Sequence, residues 1–282
     1  MDVPVPTSPA CACRADAIQA EPWPILATYF HWRSITENGN VMHSPFLPPS
    51  SNAAASAQQA SLPDTTKLSS AEKYLLYEDL AAQGGAPELE RELAEGRRII
   101  LGIRIITNTH ASEGLGLYDD RFVVLWRDEA GKYAAEFQGN TEPSAFYEDV
   151  GDARTSRNGN SMGVDVDGDG RQDLGCIPVG TYTYYKSQSK KFGNVLRSRG
   201  AIRSLRDSNH DGFFDGEDLV KPSLQQGLEV NDFLFHAGLP DRTGSAGCQT
   251  FRPDEYHGFW DALGEQEEFL YILINAPTKE YH

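Results

Sequence analysis

The spacing of apolar residues changes character near residue 98. Beyond it, short apolar or alternating runs recur between turn residues: 99–103, 122–126, 133–137, 181–185, 231–235 and 269–274. Runs of this length, rich in β-branched and aromatic residues, read as strands. The intervals lack the regular helices of βαβ units. The pattern therefore predicts an α+β, β-rich fold of mixed or antiparallel sheets, with one short helix over 254–263.

Before residue 98 the signals are helical. Ser69 or Ser70, with Glu72 close behind, marks a helix start, and Tyr74-Leu75-Leu76 continues it to about Gln83. Gly84-Gly85 breaks it, and Pro87 to Leu93 predicts a second helix. The expected organisation is a Pro/Ala/Ser-rich arm and linker over 1–66, a helical pair capping the sheets over 67–97, and a catalytic domain over 98–282. Pro22 to Leu26 and Tyr29 to Trp32 are too aromatic for a pure spacer, so part of the arm is expected to dock.

Charge narrows the partners. The 282 residues are 39% hydrophobic, which suits a globular chain, and carry a formal charge of −16. Nucleic-acid binding needs clustered Lys and Arg, so it is not expected. No uninterrupted apolar stretch approaches the roughly 20 residues that span a bilayer. The opening Met1-Asp2-Val3-Pro4 lacks the basic start and apolar core of a secretory signal. Of the four cysteines, Cys11 and Cys13 are too close to bridge each other, while Cys176 and Cys248 are left as either a pair or two thiols.

The chemistry gathers in Phe235-His236-Ala237-Gly238 and Gly244-Ser245-Ala246-Gly247-Cys248-Gln249-Thr250. The segment 228–235 reads as a strand ending at the histidine. A cysteine of pKa about 8.5 is only slightly thiolate at neutral pH, and a nearby imidazole is the commonest device for activating it. Gly244 and Gly247 permit a tight turn whose N–H groups could converge on an oxyanion. A lone Cys is usually a small buried hydrophobe and a lone His a hydrogen-bonded core residue. Together in this arrangement they favour catalysis.

The order His, Gly, then Ser-x-Gly-Cys resembles the signature of the L,D-transpeptidase (YkuD-type) catalytic domain. Ile177-Pro178-Val179-Gly180-Thr181-Tyr182-Thr183 is similar to that family's Pro-x-Gly-x-Tyr/Phe strand. The resemblance implies a β-rich domain over 98–276, with Cys248 as nucleophile and His236 as base. It further implies that the Ala237 carbonyl orients the imidazole and that Ser245 supports the histidine or the turn. Tyr182, Thr250 and Arg252 become candidate substrate contacts. The chain departs from the family pattern where Ala237 separates His236 from Gly238, and where Thr250 stands in place of Arg or Asn.

Two Asp/Gly loops point to calcium. In loop 1, Asp165, Asp167 and Asp169 occupy positions 1, 3 and 5, Gly170 position 6, and Asp173 position 9, with the Arg171 carbonyl at 7. Position 12 is Cys176, so the closing ligand must come from elsewhere. In loop 2, Asp207, Asn209, Asp211 and Asp215 take positions 1, 3, 5 and 9, Phe213 offers a carbonyl, and Asp218 stands at 12. Oxygen ligands without His or Cys favour Ca²⁺, in two structural sites. The alternative is a pair of solvated acidic turns.

Taken together, the expected function is a peptidoglycan-active cysteine acyl-transferase or peptidase working on stem peptides. Calcium loops suit an extracytoplasmic site of action. With no visible signal, this suggests a phage lysis protein or a type VI secretion effector, with an immunity protein or secretion machinery as further partners. The rival expectation is a non-enzymatic, calcium-dependent binding or structural module in which Cys248 is buried or bridged.

Overall fold

In a computed structural model of the chain, residues 60–149, 162–215, 218, 229–230 and 233–278 are described. The chain divides into Met1–Ala53 and Ala54–His282. The first unit lies outside the described residues, as do the docking aromatics of the arm and the expected linker as far as residue 59. All described residues belong to the second unit.

Two helices come first, α1 (Ser70–Gln83) and α2 (Leu89–Ala94). Ser69 and Glu72 form a reciprocal capping box at the start of α1, which satisfies N–H groups that the first turn leaves without carbonyl partners. The strands are β1 (Ile99–Arg104), β2 (Asp120–Asp128), β3 (Gly131–Asn140), β4 (Gly175–Cys176), β5 (Gly180–Ser189) and β6 (Gly193–Ser198). They continue as β7 (Ile202–Arg203), β8 (Leu205–Arg206), β9 (Glu229–Val230), β10 (Phe235–Ala237) and β11 (Gln249–Phe251). Helix α3 (Pro253–Ala262) and β12 (Glu268–Asn275) complete the order.

Eight strands close into a barrel in the order β1-β12-β5-β6-β10-β11-β3-β2. Most neighbours are antiparallel, but β1 with β12 and β10 with β11 run parallel. The sheet is therefore mixed and the fold β-rich. Two small pairs, β4 with β8 and β7 with β9, lie outside the barrel.

Alternation along the central strands builds two cores. Ile100, Phe122, Val124, Phe269, Tyr271 and Leu273 join Phe235, Phe251 and Phe259 in one apolar cluster. Ile99, Leu101, Ile103, Val123, Leu125 and Ile272 point to the opposite face and pack under Tyr74, Tyr77, Leu80, Leu89 and Leu93 of the helices. The apolar run of β1 is unbroken because both of its faces are covered. The 60–66 segment, expected as linker, belongs to this body. Ala60 bridges Thr278, and Thr65 Oγ1 donates to Glu136 Oε1 at 2.6 Å.

Helix α3 fastens the site strands to the core. Phe259 stacks on Phe251 at 4.4 Å between centroids and on Phe235 at 5.9 Å. Tyr256 Oη donates to the Phe235 carbonyl at 3.1 Å. One expectation needs correction: residues 228–235 are not a single strand. Glu229–Val230 pairs with Ile202–Arg203, and the histidine sits in the middle of a separate strand that begins at Phe235.

Phe259→Ala removes a ring shared by both site strands. Its expected cost is about 3–5 kcal/mol of unfolding free energy, measured by denaturant titration.

Candidate active site

The parallel pairing of β10 with β11 assembles the site. Phe235 lies opposite Gln249, His236 opposite Thr250, and Ala237 opposite Phe251. Phe235 and Phe251 point into the core. The period of two turns His236 and Thr250 the other way, and puts Cys248, just ahead of β11, on their face. Gln249 N donates to the Leu234 carbonyl at 2.8 Å, extending the ladder back to the cysteine turn.

His236 is almost fully buried. Its Nδ1 is 2.8 Å from the Ala237 carbonyl, so this nitrogen carries the hydrogen and Nε2 is left as the basic atom. Phe192, in the β5–β6 turn, stacks on the imidazole at 3.8 Å and 15°. Burial pushes the His236 pKa down to about 4; the Ala237 bond favours the cation, and the Lys191 charge disfavours it. The imidazole is therefore neutral at pH 7. It can accept a proton, but is not a standing imidazolium.

Neither Cys248 nor Cys176 is in a disulfide. Cys248 is half-buried and lies near enough to Tyr147 and Tyr184 to influence both. Burial raises Tyr147, helped by Cys248 and opposed by Arg242; burial and Cys248 together hold Tyr184 well above its ordinary value. Cys176 is fully buried, and burial pushes its thiol up to about 12. Such a thiol is inert at neutral pH.

The turn before Cys248 is held by its own hydroxyl. Ser245 Oγ donates to the Cys248 carbonyl at 2.8 Å and accepts from Gly247 N at 3.0 Å. Ser245 thus braces the turn rather than the histidine. The Gly247 N–H, proposed from the sequence for an oxyanion, is committed to Ser245. Gly247 matters for another reason: its φ is 125°, and a Cβ there would collide with the Gly175 carbonyl and come 2.5 Å from Phe233.

The candidate substrate contacts are spread out. Thr250 is fully buried beside His236, and its Oγ1 has no hydrogen-bond partner. Tyr182 donates to the Pro178 carbonyl at 2.7 Å and packs near Tyr271. Arg252 starts α3 at the surface, 3.3 Å from Asp254. Sequence reasoning missed Arg242, whose guanidinium lies over Phe146 at 5.3 Å and whose buried Nε has no hydrogen-bond partner. It also missed Phe192 and Tyr147. Tyr147 and Phe192 come from loops far away in sequence, so no local spacing announces them, whereas Arg242 lies between His236 and Cys248 and matches no position of the motif.

The two acidic loops share one hydrogen-bond plan. Asp165 Oδ2 accepts from Gly170 N, and Asp207 Oδ2 from Gly212 N, both at 3.1 Å. Asp167 and Asn209 each accept from the residue two ahead, as do Asp169 from Arg171 and Asp211 from Phe213. Gly170 and Gly212 have φ of 90° and 86°, which only glycine adopts readily. Closure differs between the loops. Asp218, at position 12, accepts from Ser208 N, whereas in loop 1 Asp173 at position 9 accepts from Val166 N. Among the described residues, only Asp165, Asp167 and Asp173 gather as a potential metal group, with ligand atoms within 4.8 Å of one another. Asp215 N donates to Asp218 Oδ2 at 3.0 Å.

No family model matches this chain, and neither the curated proteins nor the solved structures give a match. No helix among the described residues is long and apolar enough to cross a membrane.

His236 has a folded pKa of about 4, below its unfolded 6.5, so on acidification the unfolded chain takes up this proton first. The stability tied to neutral His236 is complete above pH 6.5 and drains away down to about 4. Unfolding measured across that window should show the wild type losing stability relative to His236→Asn. Separately, Gly247→Ala forces a strained φ and a backbone collision. It should cost about 1–3 kcal/mol and slow Cys248 alkylation, read by peptide mass spectrometry in a Cys11→Ser/Cys13→Ser background.

Proposed function

We propose that the chain is a cysteine acyl-transferase or hydrolase acting on peptide amides of peptidoglycan stem peptides, in the manner of an L,D-transpeptidase. One arrangement carries the reading. Strand alternation directs the half-buried Cys248, one residue ahead of β11, toward the face of the buried His236, whose Nδ1 is fixed by its neighbour's carbonyl.

In the proposed step, Cys248 Sγ attacks the amide carbonyl while His236 Nε2 takes the thiol proton. A neutral base suits this order, since proton transfer accompanies attack rather than preceding it. His236 then returns the proton to the departing amine as the C–N bond breaks, leaving a thioester on Cys248. Attack by a second amine gives transpeptidation, and attack by water gives hydrolysis. Arg242, with an unpartnered Nε near the Tyr147 side of the cysteine, supplies the positive charge that a stem-peptide carboxylate would meet. Calcium in the acidic loops and an extracytoplasmic site of action belong to the same proposal.

Purified muropeptides incubated with the full chain and analysed by mass spectrometry test it. The expected result is a shortened or exchanged stem peptide, no product with Cys248→Ala, and a loss of about 10²–10⁴-fold with His236→Ala. Unaltered muropeptides, with folded protein and an accessible Cys248, would contradict the reading.

A further inference from the structure

Asp173 is fully buried, yet its Oδ1 has no hydrogen-bond partner. Only Oδ2 is satisfied, by Val166 N at 2.7 Å. Leaving a carboxylate oxygen bare and out of water is costly unless a cation or donor meets it. On one side lies His210 Nε2 at 3.3 Å, which also has no hydrogen-bond partner. On the other side are the carboxylates of Asp165 and Asp167, both exposed, so the cluster opens to solvent. Three carboxylates within 4.8 Å repel one another unless something positive sits between them. An all-oxygen set of this kind suits a hard cation.

The backbone explains why Asp173 and not residue 176 closes the loop. Val164 and Asp173 exchange hydrogen bonds at 3.2 Å in both directions, so loop 1 ends as a hairpin at position 9. By position 12 the chain has already become β4, and Cys176 is paired with Leu205.

That strand leads directly to the catalytic turn. Gly175, two residues after Asp173, is so close to Gly247 that its carbonyl oxygen excludes any Cβ there. The segment is clamped from loop 2, since Arg206 Nη1 donates to the Asp173 carbonyl and Asp207 N to the Leu174 carbonyl, both at 3.2 Å. A second path leaves loop 2: Thr109 N donates to the Gly212 carbonyl, Ala145 N to the Thr109 carbonyl, and Ser144 N to the Ser245 carbonyl. Both paths end on the residues that brace Cys248.

We infer that loop 1 is a calcium site closed by Asp173, and that filling it holds the Cys248 turn in its working geometry. Mutual repulsion of the three acids, when no cation is bound, pushes Asp173 and the β4 backbone off their positions against Gly247. The coupling half of the inference rests on the cysteine-enzyme reading; the site itself does not.

The test uses the full chain, stripped with chelator and titrated calorimetrically with CaCl₂ and separately with MgCl₂. Cys248 alkylation is followed with iodoacetamide in the Cys11→Ser/Cys13→Ser background. Calcium should raise Tm by about 5 °C at millimolar concentration. It should change the Cys248 labelling rate by roughly a factor of ten. The pair Asp165→Asn and Asp167→Asn, both at exposed positions, should fold, lose one binding site and lose the labelling response, while Asp211→Asn in loop 2 keeps it. Calcium binding undiminished in the loop 1 variant, or equally tight magnesium binding, would overturn the site. Calcium binding with unaltered labelling would overturn the coupling. A labelling response without any muropeptide product would support the calcium site and its link to the Cys248 turn, while overturning the claim that the turn's geometry is a catalytic one.

Discussion

The site depends on one strand pairing. Only residues 238–248 join β10 to β11, less than the dozen or more of a helical crossover, yet the two strands run parallel. The connection is instead pinned at its turns: Tyr118 Oη donates to the Leu239 and Arg242 carbonyls, and Thr243 N to the Leu115 carbonyl. Gly238 N in turn donates to the Phe251 carbonyl at 2.8 Å. With the strands parallel, the period of two directs His236 and Cys248, twelve residues apart, toward the same face. An ordinary hairpin of these sequences would pair them in a different register.

The rest of the domain holds that pairing still. Phe235 and Phe251 are buried in the aromatic cluster, and Gln249, on the same face, accepts from Tyr271 Oη at 2.9 Å while its Nε2 donates to the Gly247 carbonyl. Core packing and site geometry are therefore one structure. The cost is visible in charge. Burial that fixes His236 also strips it of water, and the same effect raises Asp173 to about 6 and Asp207 to about 7. Loop 1 concentrates acids beside the His210 imidazole, 3.3 Å from Asp173, and does so two residues from the backbone that packs on Gly247.

Much of the scaffold was legible in the sequence, for physical reasons. The runs at 99–103, 122–126 and 269–274 stand out because they are covered by the barrel interior on one face and by α1 and α2 on the other. The start of α1 was readable because its cap is local. Strand β6 was missed: Gly193 and Asn194 are exposed, and only Val195 and Leu196 are buried. Closure into a barrel was not readable, since strand order is set by contacts across the chain. At the site, His236, Ala237, Ser245 and Cys248 lie within one short stretch, so their types and spacing were visible. Phe192 and Tyr147 were not, because each arrives from a separate loop; Arg242 lies in the same stretch, but nothing in its spacing marks it. The role of Asp173 was half legible: its position in the motif was clear, but its closure of the loop depends on a hairpin bridge to Val164.

The most direct test of the central claim is the titration of the His236 ring by NMR before and after carboxymethylation of Cys248. If the strand pairing sets sulfur and imidazole face to face, a carboxylate attached at 248 should lift the ring's pKa from about 4 by roughly 1–3 units. A titration curve unmoved by that added charge would contradict the account.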